Sequence, residues 1–131
     1  MLNNKPKTKM KRILVVDDEP NIRKALGLLL RSEGFEVDFA GDGEEALSKL
    51  KGPKPDLVLL DMFMPKLSGR ATLEKIRANP KLADLKVIFL TVALFSEAGK
   101  KGLRGLGISD YVTKPFENND LVARVRKALK T

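Results

Sequence analysis

Short apolar runs alternate along the chain with segments in which apolar residues recur every three or four positions. The runs 13–16, 57–60 and 87–90 are continuously apolar. Runs of this length and composition are typical of strands buried on both faces of a parallel sheet. The segments between them have the spacing of amphipathic helices. The alternation therefore predicts a parallel sheet covered by helices.

The pattern predicts five strand and helix units. The strands are expected at 13–16, 35–39, 56–60, 86–90 and 110–113, and the helices at 20–33, 44–51, 70–78, 95–107 and from a cap at Asn118 or Asn119 onward. The second strand alternates apolar and acidic residues, which places it at an edge of the sheet. The fourth helix contains four glycines. Each glycine weakens a helix by up to about 1 kcal/mol relative to alanine, so we expect this helix to fray.

The amino-acid composition limits which functional groups a binding or catalytic site of this chain can use. The chain has 131 residues, which suits one domain, and it contains neither cysteine nor histidine. Disulfides, thiolate nucleophiles and imidazole catalysis are therefore excluded, which leaves carboxylates, hydroxyls and lysines. No apolar run approaches the roughly 18 residues of a membrane span, and the N-terminus lacks the apolar core of a signal peptide. We expect a cytoplasmic protein whose output belongs to a partner or to a further domain.

The net charge of +8 is concentrated at the two ends of the chain. Residues 1–12 contribute +5 and residues 120–131 contribute +3, so residues 13–119 sum to zero. A basic tail and a basic face of a last helix are typical of solubilising surface, so direct binding of nucleic acid is not expected. A docking surface for an acidic partner or nucleic acid is the alternative. We predict a disordered basic tail over residues 1–10 and one folded domain over 11–131.

Polar side chains follow the apolar strands. Asp17 and Asp18 follow the first strand, Asp61 the third, Thr91 the fourth and Lys114 the fifth. The carboxyl ends of parallel strands meet at one edge, where open α/β sheets bind ligands. Three carboxylates gathered there repel one another, and either protonation or a divalent cation offsets that repulsion. Mg²⁺ is favoured because it commonly bridges carboxylates to phosphoryl groups, and an ionised Asp61 can attack phosphorus directly.

Four segments in a fixed order carry a family resemblance: ILVVDDEP at 13–20, LVLLDMFMPKLSG at 57–69, VIFLT at 87–91 and DYVTKPF at 110–116. In these segments the chain resembles the receiver domains of two-component response regulators, including the chemotaxis regulators, over residues 11–130. The resemblance implies a flavodoxin-like α/β fold in which a five-stranded parallel sheet of order 2-1-3-4-5 is flanked by five helices.

The same resemblance implies a function. A sensor histidine kinase or a phosphotransfer protein donates a phosphoryl group to Asp61, and the face built from the fourth helix, fifth strand and fifth helix then switches. That face controls a downstream protein or an output domain whose identity is unknown. The chain is thus implied to be a regulatory phosphoacceptor that assists its own phosphorylation and dephosphorylation, and not an enzyme.

The resemblance also implies a metal site. Mg²⁺, with Mn²⁺ as the alternative, is implied to bind Asp18, Asp61 and the main-chain carbonyl of Phe63. Asp17 is implied to act through a metal-bound water. The peptide bond between Lys114 and Pro115 is implied to be cis, which the residue type alone only permits.

Further roles follow from the aligned motifs. Thr91 and Lys114 are implied to contact the phosphoryl group, and Thr91 and Tyr111 to couple it to the switching face. Many receivers carry polar groups two residues after the phosphorylated aspartate and two after the threonine, where Phe63 and Ala93 stand here. Neither side chain can orient a water, so we expect slow self-dephosphorylation.

Other functions stay open on the residues alone. Asp17 taken by itself is most simply a helix cap. A phosphatase with an aspartyl nucleophile typically needs a second acid at the position of Phe63. A flavodoxin-like nucleotide binder needs a phosphate loop rich in glycine, where this chain has the acids 17–19. A nucleic-acid binder would use the basic ends, and its binding would depend on salt.

Overall fold

The structure, a computed structural model, describes residues 10–92 and 96–130. Most of the basic tail predicted over 1–10 and the tuning position Ala93 lie outside the described residues. Within them five strands alternate with five helices, in the order β1 (Arg12–Val16), α1 (Pro20–Ser32), β2 (Glu36–Ala40), α2 (Gly43–Lys49), β3 (Leu57–Asp61), α3 (Gly69–Ala78), β4 (Lys86–Thr91), α4 (Glu97–Gly105), β5 (Asp110–Thr113) and α5 (Asn118–Leu129). None of these helices is long and apolar enough to cross a membrane.

The five strands form one parallel sheet in the order β2-β1-β3-β4-β5. This confirms the predicted fold class and strand order, with β2 at an edge. The register pairs Val16 with Leu60 and Asp61 with Leu90. Asp17, the residue after Val16, therefore leaves the sheet at the same level as Asp61. The register of three neighbouring strands thus sets where the acidic residues stand.

The sheet has a buried apolar layer on each face. Side chains alternate between the layers, so Leu14 and Val16 pack on one face while Ile13 and Val15 pack on the other. Residues of α2, α3 and α4 contribute to the first layer, and residues of α1 and α5 contribute to the second. Each fully buried aliphatic side chain contributes about 1.5–3 kcal/mol, so the central strands are firmly held.

Two glycines end helices instead of weakening them. Gly34 has a φ of 94°. Its N–H donates to the carbonyl of Arg31, and the N–H of Phe35 donates to the carbonyl of Leu30. This is a Schellman cap, which draws Phe35 into the helix end, so β2 begins one residue later than predicted. Gly107, with a φ of 72°, closes α4 in a similar way. The predicted helix over 95–107 is therefore shorter, and its fraying stays a prediction.

The cap of α5 differs from the predicted one. The carboxylate of Glu117 accepts hydrogen bonds from the N–H groups of Asn119 at 2.7 Å and Asp120 at 3.1 Å. The prediction of a cap at Asn118 or Asn119 is wrong, because both residues are already helical. A carboxylate side chain also interacts favourably with the positive end of the helix dipole. A neutral amide side chain lacks this charge interaction.

Gly69 holds the loop after β3 close to the acidic edge. Its N–H donates to the carbonyl of Met62 at 2.9 Å. A Cβ atom at this position would lie 2.1 Å from the carbonyl oxygen of Asp61, which is a backbone atom and cannot swing away. The start of α3 can therefore approach the end of β3 only because residue 69 has no side chain.

We predict that Gly69→Ala destabilises the protein by about 1–3 kcal/mol, because the backbone must shift to relieve this overlap. Gly102→Ala is the matched control, since a Cβ built there has no described atom within 4 Å apart from the neighbouring backbone of its own helix. The control should stabilise α4 by up to about 1 kcal/mol. Urea denaturation of both variants measures the difference, and equal effects of the two substitutions would contradict the packing argument.

Candidate functional site

The carboxyl ends of the strands gather four charged side chains. Carboxylate oxygens of Asp17, Asp18 and Asp61 all lie within 4.8 Å of one another. Lys114, just beyond β5, places its Nζ 2.7 Å from an oxygen of Asp17 and 3.6 Å from an oxygen of Asp61. The convergence expected from the strand ends is therefore present. We call these four side chains the acidic cluster.

Lys114 is paired mainly with Asp17 and only secondarily with Asp61. Burial lowers the pKa of the lysine, but its hydrogen bond to Asp17 and the nearby carboxylates outweigh burial and raise that pKa above its ordinary value. The main-chain N–H of Lys114 donates to the carbonyl of Thr91 at 2.7 Å, and the Lys114–Pro115 peptide is cis. The ammonium is therefore fixed, charged and within reach of both buried acids.

Asp61 ends β3 and is 4% exposed. Burial and the neighbouring charge of Asp17 raise the pKa of Asp61 to about 6. Lys114 and the N–H of Phe63, which donates to Oδ1 of Asp61 at 3.3 Å, act in the opposite direction. Because this pKa stays below 7, Asp61 is mostly ionised at neutral pH and can act as a nucleophile without a base.

Asp17 is fully buried, and both of its carboxylate oxygens are engaged. One accepts the N–H of Glu19 at 2.9 Å, and the other accepts the ammonium of Lys114. The helix-cap alternative does not describe it, because the N-cap residue of α1 is Glu19 and no side chain caps that helix. Asp17 instead stabilises the loop that carries Asp18, through its hydrogen bond with the N–H of Glu19.

The charges of the acidic cluster do not balance. With all groups ionised, these four side chains carry an excess of two negative charges, and Glu19, 3.8 Å from the same ammonium, adds a further one. The possible ligand atoms of the three aspartates are all oxygens, and one of the three carboxylates is more exposed than the other two. Oxygen ligands and excess negative charge are what a hard divalent cation prefers. The residues present therefore fit a Mg²⁺ ion.

Three further residues with predicted roles lie outside the acidic cluster. Thr91 is fully buried at the end of β4, with its hydroxyl 3.9 Å from the sulfur of Met62. Tyr111 is partly buried and lies opposite Phe89 in the β4–β5 register. Phe63 is 56% exposed beside Asp61. The roles assigned to these residues stay predictions, as does binding of metal by the Phe63 carbonyl.

Two features of the site were not found from the sequence. Arg23 on α1 donates from Nη1 to the carbonyl of Asp17 at 2.6 Å. Lys66 adopts a left-handed conformation with a φ of 68° in the loop after β3. Glycine or asparagine would have signalled that conformation, whereas lysine gives no such signal. The arginine contact depends on how α1 packs, which the spacing of residues does not reveal.

Comparison with known proteins agrees with this geometry. A family model described as "Response regulator receiver domain" matches residues 13–126. The chain belongs to this family. The receiver domain is 40% identical over 123 residues to the DNA-binding response regulator MtrA of Mycolicibacterium smegmatis, covering 94% of this chain and 52% of MtrA. It is 45% identical over 120 residues to the probable transcriptional regulator ycf27 of Cyanophora paradoxa, covering 92% and 48% respectively.

Solved structures give the same result. The response regulator TrrA of Thermotoga maritima, solved in complex with Mg²⁺ and BeF, is 44% identical with a TM-score of 0.77, and the match covers 91% of this chain and 99% of TrrA. The Vibrio cholerae chemotaxis protein CheY4 is 28% identical with a TM-score of 0.85, covering 92% and 99%. The chain thus spans a whole receiver structure but about half the length of the curated relatives it matches.

The raised pKa of Asp61 predicts how stability depends on pH. A carboxyl group with a higher pKa when folded than when unfolded binds more protons in the folded state, so stability falls as pH rises toward and through 6. Replacing Asp61 with Asn removes this penalty. Without divalent cations, Asp61→Asn should stabilise the protein by about 3 kcal/mol at pH 7.5 and by about 1 kcal/mol at pH 4.5.

Urea denaturation at the two pH values measures this difference. Adding Mg²⁺ at pH 7.5 provides the control, since it should stabilise the wild type more than the variant. An equal gain from Asp61→Asn at both pH values would show that charge at residue 61 is not what costs stability.

Proposed function

We propose that this receiver domain accepts a phosphoryl group on Asp61 from the phosphohistidine of a sensor kinase or a phosphotransfer protein. An oxygen of Asp61 forms a bond to phosphorus while the bond from phosphorus to the donor imidazole nitrogen breaks, and the leaving imidazole takes up a proton. The observation that carries the proposal is the position of the Asp61 carboxylate at the strand edge, beside two further acids and a lysine. The chain acts in this proposal as a regulatory phosphoacceptor.

The proposal includes a Mg²⁺ requirement. Asp18, Asp61 and the Phe63 carbonyl would hold the ion, with Asp17 acting through water, and the ion supplies positive charge that offsets the charge of the phosphoryl oxygens. Asp17 holds the ammonium of Lys114 at 2.7 Å, which keeps this positive charge 3.6 Å from Asp61, where it can offset negative charge on a phosphoryl group. The Asp18 carboxylate adjoins both buried acids, which supports its role as a ligand.

Signal output is the second half of the proposal. Thr91 and Tyr111 lie on neighbouring strands, and the main chain of Lys114 is bonded to that of Thr91. A change at the phosphoryl group can therefore reach the face of α4, β5 and α5 through β4 and β5. MtrA is named a DNA-binding regulator and is about twice as long as this match. We propose that residues 11–131 control such an output domain or a separate partner in the cytoplasm, without binding nucleic acid themselves.

Mass mapping tests the phosphorylation. We expect incubation with Mg²⁺ and acetyl phosphate or phosphoramidate to add one phosphoryl group to a peptide containing Asp61. Asp61→Asn should abolish the modification, whereas Asp38→Asn, which changes an exposed acid on the edge strand, should leave it unchanged. Undiminished modification of Asp61→Asn, or none of the wild type, would refute the proposal.

We predict that the phosphoryl group of the isolated protein is long-lived. Phe63 places an exposed apolar ring beside Asp61, and Ala93 stands at the second tuning position in the sequence, so neither can orient an attacking water. Phe63→Asn should shorten the half-life several-fold, while Phe63→Leu should not. The decay of the phosphorylated mass after removal of the donor measures this. A wild-type half-life of seconds would contradict the prediction.

A further inference from the structure

The Asp17–Asp18 peptide is held by an arginine from the neighbouring helix. Nη1 of Arg23 donates to the main-chain carbonyl of Asp17 at 2.6 Å in a partly buried contact. The main-chain N–H of the same arginine donates to the carbonyl of Glu19 at 3.1 Å. Arg23 therefore contacts the loop 17–19 at two points and links it to the first turn of α1.

The other hydrogen bonds of Asp17 engage its N–H and its carboxylate, and not its carbonyl. The N–H of Asp17 donates to the carbonyl of Ala40, and its carboxylate is held by Glu19 and Lys114. These contacts hold the peptide before Asp17 and, through the N–H of Glu19, the peptide after Asp18. The carbonyl of Asp17 belongs to the peptide between these two, whose orientation helps to set the direction in which Asp18 leaves the chain. Arg23 is the donor that holds that carbonyl.

Electrostatics alone would give Arg23 the opposite effect on a cation. A guanidinium beside the acidic cluster partly neutralises it and repels a divalent ion. A cation in the first turn of a helix is also disfavoured by the helix dipole. If charge were the whole effect of Arg23, removing it would strengthen Mg²⁺ binding. If Arg23 orients Asp18, removing it weakens binding, so the two effects differ in sign.

We infer that Arg23 is a positioning residue of the metal site, which sets the orientation of Asp18 through the Asp17 carbonyl. The inference rests on the proposed Mg²⁺ binding by the acidic cluster. Groups that orient metal ligands from outside the coordination shell typically change metal affinity by 10-fold or more when they are removed. Here the oriented group is a main-chain carbonyl adjoining the ligand, and its donor comes from a different element of the fold.

Isothermal titration with Mg²⁺ alone tests this inference. Arg23→Gln should weaken binding roughly tenfold. Arg23→Lys keeps a charged donor on a long side chain and should bind with an affinity between those of Arg23→Gln and the wild type. Lys24→Gln is the matched control for charge, because Lys24 is the exposed neighbour on the same helix. It should leave binding unchanged or strengthen it slightly.

A second readout separates positioning from a loss of folding. The phosphorylation rate with acetyl phosphate should need more Mg²⁺ in Arg23→Gln but reach the wild-type rate at saturating Mg²⁺. Urea denaturation without metal identifies any variant that is unfolded. If Arg23→Gln is unfolded, the Mg²⁺ affinity of Arg23→Lys relative to the wild type tests the inference by itself. Mg²⁺ binding by Arg23→Gln as tight as that of the wild type, or tighter, overturns this inference only. A wild type that binds no Mg²⁺ overturns the proposed function and this inference together.

Discussion

The interaction on which the site depends is the repulsion among three clustered carboxylates, two of which pair with the same lysine. Asp17 is fully buried, Asp61 nearly so, and Lys114 lies closer to the first than to the second. Bringing like charges together in a poorly hydrated place costs free energy, and the raised pKa of Asp61 expresses that cost. A ligand that brings positive charge offsets the cost. The receiver domain is therefore poised to respond to a cation and to chemistry at Asp61.

The apolar frame prevents the carboxylates from moving apart. Both β1 and β3 are buried between two apolar layers, and their register sets Asp17 and Asp61 at the same level. Because Gly69 has no side chain, α3 begins directly against the carbonyl of Asp61, and this contact also restricts movement of the end of β3. Because these elements are close-packed, the repulsion cannot be relieved by a small shift of the strands. Relief must come from a proton, a cation or a change in the loops.

The sequence was sufficient for the fold and for the membership of the acidic cluster, because both follow from strong patterns. Buried strands are continuous apolar runs, and polar residues at their carboxyl ends must meet at one edge. The features that could not be predicted from the sequence are those in which one side chain selects among several possible hydrogen-bond partners. Glu117 rather than the adjacent asparagines caps α5, Lys114 pairs chiefly with Asp17, and Arg23 reaches a main-chain carbonyl. Several partners fit each of these side chains by spacing alone, and packing selects one.

The most direct measurement is the titration of the Asp61 carboxyl by carbon NMR, first without and then with saturating Mg²⁺. Burial of Asp61 together with the charge of Asp17 predicts a pKa of about 6 without the ion and a value well below that with it. An ordinary aspartate pKa without Mg²⁺, or the same raised value in its presence, would contradict the account.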